Sequence, residues 1–317
     1  MRAVLVHEFG PTDGVEVGEI EPPLRLGTEV LVDVRAAGLN PIDWKTVTGK
    51  GAAKAVAPLL PWIPGGDVAG TVAEAPFEAH DLQPGDEVFG IVNHWRTRGS
   101  YAEQAVVPSL AIAPKPESLS FEEAAAVPCA ALTAWDAVVR IAKARAGQRI
   151  LIHAGAGGVG HFAVQFAKYF GASVATTVSE RNVDFVRDLG ADEVVDYRSQ
   201  RFEDELQKVD VVVDLVGNAA DDTGTRSLDV LKSGGLYLNV PTGSWPEYAA
   251  AAEEAGMRAS AVKVESDGSN LGIIGRLIDA GDVRVEVQRI YPLDDIHEAL
   301  REQQTGHVRG KLVLRIR

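Results

Sequence analysis

An antiparallel β domain carrying an inserted, doubly wound parallel α/β domain is the architecture these 317 residues predict. Three observations predict it. Short alternating runs cut by Gly and Pro fill residues 1–118, near-continuous apolar runs alternate with helical stripes over 119–264, and the alternating texture returns over 265–317. The domains are therefore expected as 1–118 with 265–317, and 119–264.

The first domain reads from AVLVHEF, EVLVDVRAAG, DVAGTVAEA, DEVFGIV and YAEQAVV, each bounded by turn formers. Ser120 and Glu123 form a capping box, so an alanine-rich helix opens there. Pro128 interrupts it, and AALTAWDAVVRIAKARAG continues as a second helix closed by Gly147. RILIHA then reads as a buried strand, and VGHFAVQFAKYFG as a helix with Val159, Phe162, Ala163, Phe166 and Ala167 on one stripe. SVATTV, EVVDY, DVVVDLVG and GGLYLNV read as further strands, with a helix over RNVDFVRDLG. Apolar strands joined by helices belong to a parallel sheet covered on both faces. One more helix is expected near 269–280, before RVEVQRIYPL and KLVLRI return to the β domain. The stretches 51–63 and 243–256 read as loops.

The chain is 46% apolar and 24% charged, a globular composition. Its net charge of -14 repels polyphosphate, and no Lys/Arg run offsets it, so no nucleic-acid partner is expected. A single cysteine, Cys129, leaves no disulfide framework and no four-cysteine zinc lobe. Uncharged stretches near 55–66 and 124–135 are short and contain proline, so no membrane partner is expected. The first residues lack an apolar run, no signal peptide is read, and the cytoplasm is the expected compartment.

Gly155-x-Gly157-x-x-Gly160, with Ala156, Gly158 and Val159 between, follows a strand and opens a helix. In that context Gly155 permits a tight turn, Gly157 a close approach to a pyrophosphate, and Gly160 close packing of helix on strand. The helix start then offers N–H groups and a positive dipole end to phosphates. A dinucleotide is the expected cofactor. Where an NAD site carries an acid, after the second strand, this register places Ser179 with Arg181 close behind. A hydroxyl and a guanidinium suit a 2′-phosphate, so NADPH is expected; a slip of a single position would put Glu180 there and favour NAD.

AGAGGVG, PGGDVAG, GDEVFG, GSYAE, LTAW and RGKLVL, in their places along the chain, resemble the medium-chain dehydrogenase/reductase superfamily, and within it the zinc-free, zeta-crystallin-like quinone oxidoreductases. The resemblance spans Met1 to Arg317. It implies a GroES-like β domain, a Rossmann domain, a cofactor cleft between them and a homodimer, formed by strand addition through SAVKV. In zinc alcohol dehydrogenases of that superfamily, metal-ligand positions match Asn40, Gly66 and Cys129 here; only the cysteine is kept, so no metal is expected. The resemblance also places Asn40 and Thr133 at the nicotinamide, Tyr197 beside the 2′-phosphate, and Val216, Gly217, Pro241, Thr242 and Lys311 near the cofactor.

Without a Lewis acid, hydride transfer to a planar, electron-poor acceptor, a quinone or an α,β-unsaturated carbonyl, is the expected reaction. Asn40, Lys45 and Asp67 are the candidate catalytic residues. Lys45 either holds a developing oxyanion or lies on the surface, and Asp43 reads as a turn-maker after Asn-Pro. Asp67 either caps its glycine turn, pairs with Lys45, or floors the acceptor site. Trp44, Trp62, Trp95, Trp135, Trp245 and Tyr101 either line a flat apolar pocket or pack the core. A zinc alcohol dehydrogenase using Cys129 and a non-catalytic NADPH sensor are the alternatives.

Overall fold

A computed structural model of the chain describes residues 1–77, 81–92 and 97–317, so Trp95 lies outside the described residues. The chain forms two compact units, Met1–Leu132 with Ser266–Arg317, and Thr133–Glu265. The first division falls after Leu132, later than the texture change at Ser120.

In the first unit the seven-stranded sheet runs Val287–Pro292, Lys311–Arg315, Glu29–Gly38, Asp67–Glu74, Glu87–Ile91 and Ile112–Pro114, with Gln104–Pro108 also paired to Glu29–Gly38. Its pairs are antiparallel except Val287–Pro292 with Lys311–Arg315, which run parallel. The C-terminal strands thus complete a sheet begun by the N-terminal ones. Strand Glu29–Gly38 follows alternation: Val30, Val32 and Val34 are fully buried in the unit's core, with Trp62, Tyr101 and Leu312. Helix Ile296–Gln304, which the sequence reading passed over, buries Ile296, Ala299 and Leu300 against that core.

The second unit is a six-stranded parallel sheet. Its order is Glu193–Asp196, Ser173–Val178, Arg149–His153, Val209–Asp214, Leu231–Asn239, Arg258–Ala261. Successive strands step away from Arg149–His153 first to one side and then to the other. The sheet therefore has its topological switch point at the carboxyl end of that strand, where open α/β sheets bind ligands. Helix Gly160–Tyr169 packs there through Phe162, Ala163, Phe166 and Ala167, all fully buried.

Two local expectations change. The helix predicted to run to Gly147 is an α-helix only over Pro128–Trp135, then a π-helical turn over Asp136–Ile141. The buried Asp136 in that turn accepts from Arg140 at 2.8 Å and from the Glu265 amide at 3.3 Å. These bonds tie the two ends of the unit together and hold the wider turn. The stretches read as loops carry short helices, Ala53–Val56 and Tyr248–Glu254. Of the two readings of the aromatic residues, core packing holds for Trp62, Trp135, Trp245 and Tyr101, all buried.

Candidate functional site

The second unit gathers most of the predicted cofactor residues along the carboxyl edge of its sheet. The loop Gly155–Gly160 follows strand Arg149–His153; Ser179 follows Ser173–Val178, Tyr197 follows Glu193–Asp196, Val216 and Gly217 follow Val209–Asp214, and Pro241 and Thr242 follow Leu231–Asn239. These are five neighbouring strands, so the parallel topology alone brings the residues to one edge. Thr133 is on helix Pro128–Trp135 rather than after a strand, and Asn40 and Lys311 belong to the first unit.

The glycines serve this loop differently from the sequence expectation. Ala154, not Gly155, takes the left-handed conformation, at φ 52°. Gly155 is needed for space: a Cβ there would stand 2.0 Å from Thr176 Oγ1. At Gly160 a Cβ would meet the Ala154 carbonyl at 2.2 Å, the close helix-on-strand approach its position predicts. Beside Gly157 the sole neighbour of such an atom is that same carbonyl, at 3.3 Å, so one side of the loop is open. The backbone amides of Gly158 and Val159 have no hydrogen-bond partner among the described residues. Unspent N–H groups at an open glycine turn fit a pyrophosphate.

Two side chains brace this edge that the sequence reading missed. Asp214, fully buried at the end of its strand, accepts at one oxygen from the amides of Val216 and Gly217, both at 2.8 Å, and at the other from the Tyr237 hydroxyl at 2.5 Å. Gly217, at φ 69°, completes the turn that Asp214 shapes. His153, at the end of its strand, bridges Thr177 of the neighbouring strand at 3.0 Å and Ser227 of helix Thr223–Leu228 at 2.9 Å, and burial pushes its pKa down, favouring the neutral ring. An acid closing the apolar run DVVVDLVG was the visible signal for Asp214. Ser179 follows directly on Val178 and is buried, whereas Glu180 and Arg181 are exposed in the turn that follows.

The first unit holds a buried polar cluster. Asn40 caps helix Pro41–Val47, Asp67 opens strand Asp67–Glu74, and Lys311 opens strand Lys311–Arg315. Asn40 Nδ2 donates to Asp67 Oδ2 at 2.9 Å, and the Cys129 amide donates to Asp67 Oδ1 at 2.8 Å. The Lys311 ammonium donates to Asn40 Oδ1 at 2.6 Å and to the Leu39 carbonyl at 2.5 Å, and stands 3.5 Å from Asp67 Oδ2. Asp67 is wholly buried and Lys311 nearly so. Desolvation raises the Asp67 pKa, and the lysine opposes that shift. Beside them, Asp43 accepts from the Asn40 amide at 2.8 Å and the Tyr101 hydroxyl at 2.7 Å. Burial pushes Asp43 up to about 6 against those two bonds.

The cluster explains PGGDVAG. Gly65 sits at φ 98°, and a Cβ there would press 2.4 Å from the Tyr101 ring. Gly38 is as constrained, since its Cβ would lie 2.9 Å from Asp67 Oδ2. The Asp67 carboxylate thus neither caps its glycine turn nor pairs with Lys45: its partners are Asn40, the Cys129 amide and Lys311. Lys45 instead lies over the Trp44 ring at 5.8 Å, partly exposed. Asp43, expected as a turn-maker, caps its helix and also anchors Tyr101.

The residues matching the metal-ligand positions do not fit a catalytic zinc. Asn40 spends its oxygen on an ammonium, Gly66 has no side chain, and both oxygens of Asp67 already accept hydrogen bonds. Among the described residues no group of three or more His, Cys, Asp or Glu is disposed to hold a metal ion. No helix among them is long and apolar enough to cross a membrane.

Residues 27–117 match the family model described as alcohol dehydrogenase GroES-like domain, and residues 189–314 the model described as zinc-binding dehydrogenase. The chain is 34% identical to NAD(P)H oxidoreductase RTN4IP1, mitochondrial, of Danio rerio, over 100% of this chain and 91% of that one. It is 35% identical to NADPH-dependent alkenal/one oxidoreductase, chloroplastic, of Arabidopsis thaliana, over 99% and 79%. Among solved structures, the quinone oxidoreductase from Coxiella burnetii is 37% identical and superposes with a TM-score of 0.95 over 100% and 99%. The organellar names overturn the cytoplasmic expectation. Its weakness is physical: a missing apolar run bears on secretory signals, while organellar targeting segments are amphipathic or Ser- and Arg-rich. The glycine loop on a parallel sheet and the full-length likeness together establish a nicotinamide-dependent oxidoreductase, and the chain belongs to the medium-chain dehydrogenase/reductase family.

Proposed function

We propose that the chain is a zinc-independent, NADPH-dependent reductase of quinones or α,β-unsaturated carbonyls. The observation that carries this reading is the carboxyl edge of the second unit, where an open glycine turn with unspent amides shares one edge with Ser179, Arg181 and Tyr197. Gly155, Ala156, Gly157, Gly158, Val159 and Gly160 would take the pyrophosphate. Ser179 and Arg181, with Tyr197 on the adjacent strand end, would take the 2′-phosphate. The Tyr197 amide donates to the Val178 carbonyl at 3.1 Å, which supports placing that ring next to Ser179. Val216 and Gly217, fixed by Asp214, and Pro241, Thr242 and Thr133 complete the proposed cofactor contacts. When bound, reduced nicotinamide supplies the hydride.

Zinc independence rests on the donor set, because Lys311 and the Cys129 amide already occupy the groups a metal would need. A small, planar, electron-poor acceptor follows from chemistry that needs no Lewis acid, with water supplying the proton. A homodimer by strand addition is supported by Arg258–Ala261, an edge strand of its sheet, paired on one side only among the described residues. No nucleic-acid or membrane partner belongs to this reading, given the charge of -14.

Loss of reduced-nicotinamide absorbance, with NADPH and NADH in parallel against quinones, alkenals and alcohols, tests the reading. The expected result is NADPH oxidation by quinones or enones but not alcohol turnover, with the NADPH preference falling at least about tenfold in Arg181→Ala. Equal use of both cofactors by both proteins would move the assignment to Glu180 and NAD. Tight binding without oxidation of any acceptor would contradict a reductase.

A further inference from the structure

An asparagine side chain is ambiguous in general, because its amide can turn over and exchange oxygen for nitrogen. Asn40 is not. On one side stands Lys311, which can only donate; on the other stands Asp67, whose carboxylate can only accept. The reversed amide would point N–H groups at an ammonium and an oxygen at a carboxylate. The orientation is therefore fixed by charge.

The remaining hydrogen-bonding capacity can be counted. Lys311 has three donors and faces three oxygens: the Leu39 carbonyl, Asn40 Oδ1 and Asp67 Oδ2. Asp67 Oδ1 is taken by the Cys129 amide, and the backbone N–H of Asn40 by Asp43. Of the two hydrogens on Asn40 Nδ2, one goes to Asp67. The other has no acceptor among the described residues, and Asn40 keeps 6% of its surface exposed. An ammonium on the amide oxygen draws charge from the nitrogen and strengthens that last N–H as a donor.

We propose that Asn40 Nδ2–H is a catalytic hydrogen-bond donor to the carbonyl oxygen of the acceptor, and that Lys311 and Asp67 are positioning residues that aim it. This rests on the reductase reading above and assigns its oxyanion donor. Hydride adds to the conjugated carbon, the C=C electron pair shifts so that negative charge reaches the carbonyl oxygen, and water protonates the enolate, leaving NADP⁺ and the saturated ketone. The donor meets the oxygen where that charge develops. A group that itself donates, such as an alcohol hydroxyl, gains less from it.

The test is a kinetic cycle on Asn40→Ala, Lys311→Met and the double variant, using NADPH and an enone. Asn40→Ala should lower kcat/KM for the enone by about 10²–10³-fold, measured at saturating NADPH. Lys311→Met should also lower it, and the double variant should be no slower than Asn40→Ala, because Lys311 acts through Asn40. Losses that multiply, or an Asn40→Ala variant within about twofold of wild type, would overturn the assignment. Should Lys311→Met fail to fold, ¹⁵N spectra of the wild type decide. One of the two Asn40 side-chain protons, identified by its loss in Asn40→Ala, should move downfield when an enone binds the NADP⁺ complex; no movement overturns the proposal. Wild-type protein that turns over no quinone or enone would instead sink the reductase reading, a separable outcome.

Discussion

Two fully buried aspartates sit at opposite ends of strands, and they are satisfied in opposite ways. Asp214, closing a strand of the second unit, meets only neutral donors: two backbone amides and the Tyr237 hydroxyl. Asp67, opening a strand of the first unit, meets an amide N–H, the Asn40 side chain and, at 3.5 Å, the Lys311 ammonium. The contrast separates shape from chemistry. Neutral donors suffice where the carboxylate holds a turn; a buried cation is kept where the carboxylate must also orient a polar side chain.

The largest expected effect breaks the charged half of the comparison. Lys311→Met strands Asp67 as an unpaired buried carboxylate and should cost about 3–5 kcal/mol of stability, read by thermal or urea unfolding. Adding Asp67→Asn should return much of it. If the single variant is as stable as wild type, the ion pair is not what holds this cluster.

Asp43 gives the next effect, through pH. Its folded pKa of about 6 lies above the ordinary aspartate range, so folding resists its ionisation. The stabilisation is complete below about pH 4 and lost as pH rises through 6, by up to about 3 kcal/mol. The raised pKa of Asp67 acts in the same direction. Melting temperatures across that range should fall in the wild type and fall less in Asp43→Asn; equal slopes would remove Asp43 as the cause.

Breaking the neutral half should cost less. Asp214→Ala leaves the Val216 and Gly217 amides without their acceptor, worth about 1–3 kcal/mol, and should weaken NADPH binding by loosening the turn. Tyr237→Phe removes a single bond to the same carboxylate and should cost about 1 kcal/mol with little change in binding. An Asp214→Ala variant that binds NADPH as tightly as wild type would dissociate this turn from the cofactor.

The two regions also differ in how far the sequence exposed them. The proposed cofactor edge depends on local order: a strand, a glycine turn and a helix within a few residues place Gly155, and the end of the next strand places Ser179, while Tyr197 and Gly217 follow from the family resemblance. Even there, the strained residue proved to be Ala154, because crowding by Thr176, not backbone freedom, dictates Gly155. The Asn40 cluster depends on distant order. Asn40 and Asp67 are 27 positions apart and Asn40 and Lys311 271, and pattern reading carries no information on which buried charges meet across that span. The π-helical turn at Asp136–Ile141 was hidden for the same reason, since the bond from the Glu265 amide to Asp136 reaches across 129 positions.

The most direct test of the reaction is to follow the hydride. NADPH carrying deuterium at both C4 positions of the nicotinamide is incubated with the enzyme and an alkyl enone, and the product is analysed by mass spectrometry and ²H NMR. Direct transfer puts a single deuterium on the β-carbon of a saturated ketone, with the α-hydrogen drawn from water. An unlabelled product, or an allylic alcohol with deuterium on the carbonyl carbon, would contradict reduction of the conjugated double bond.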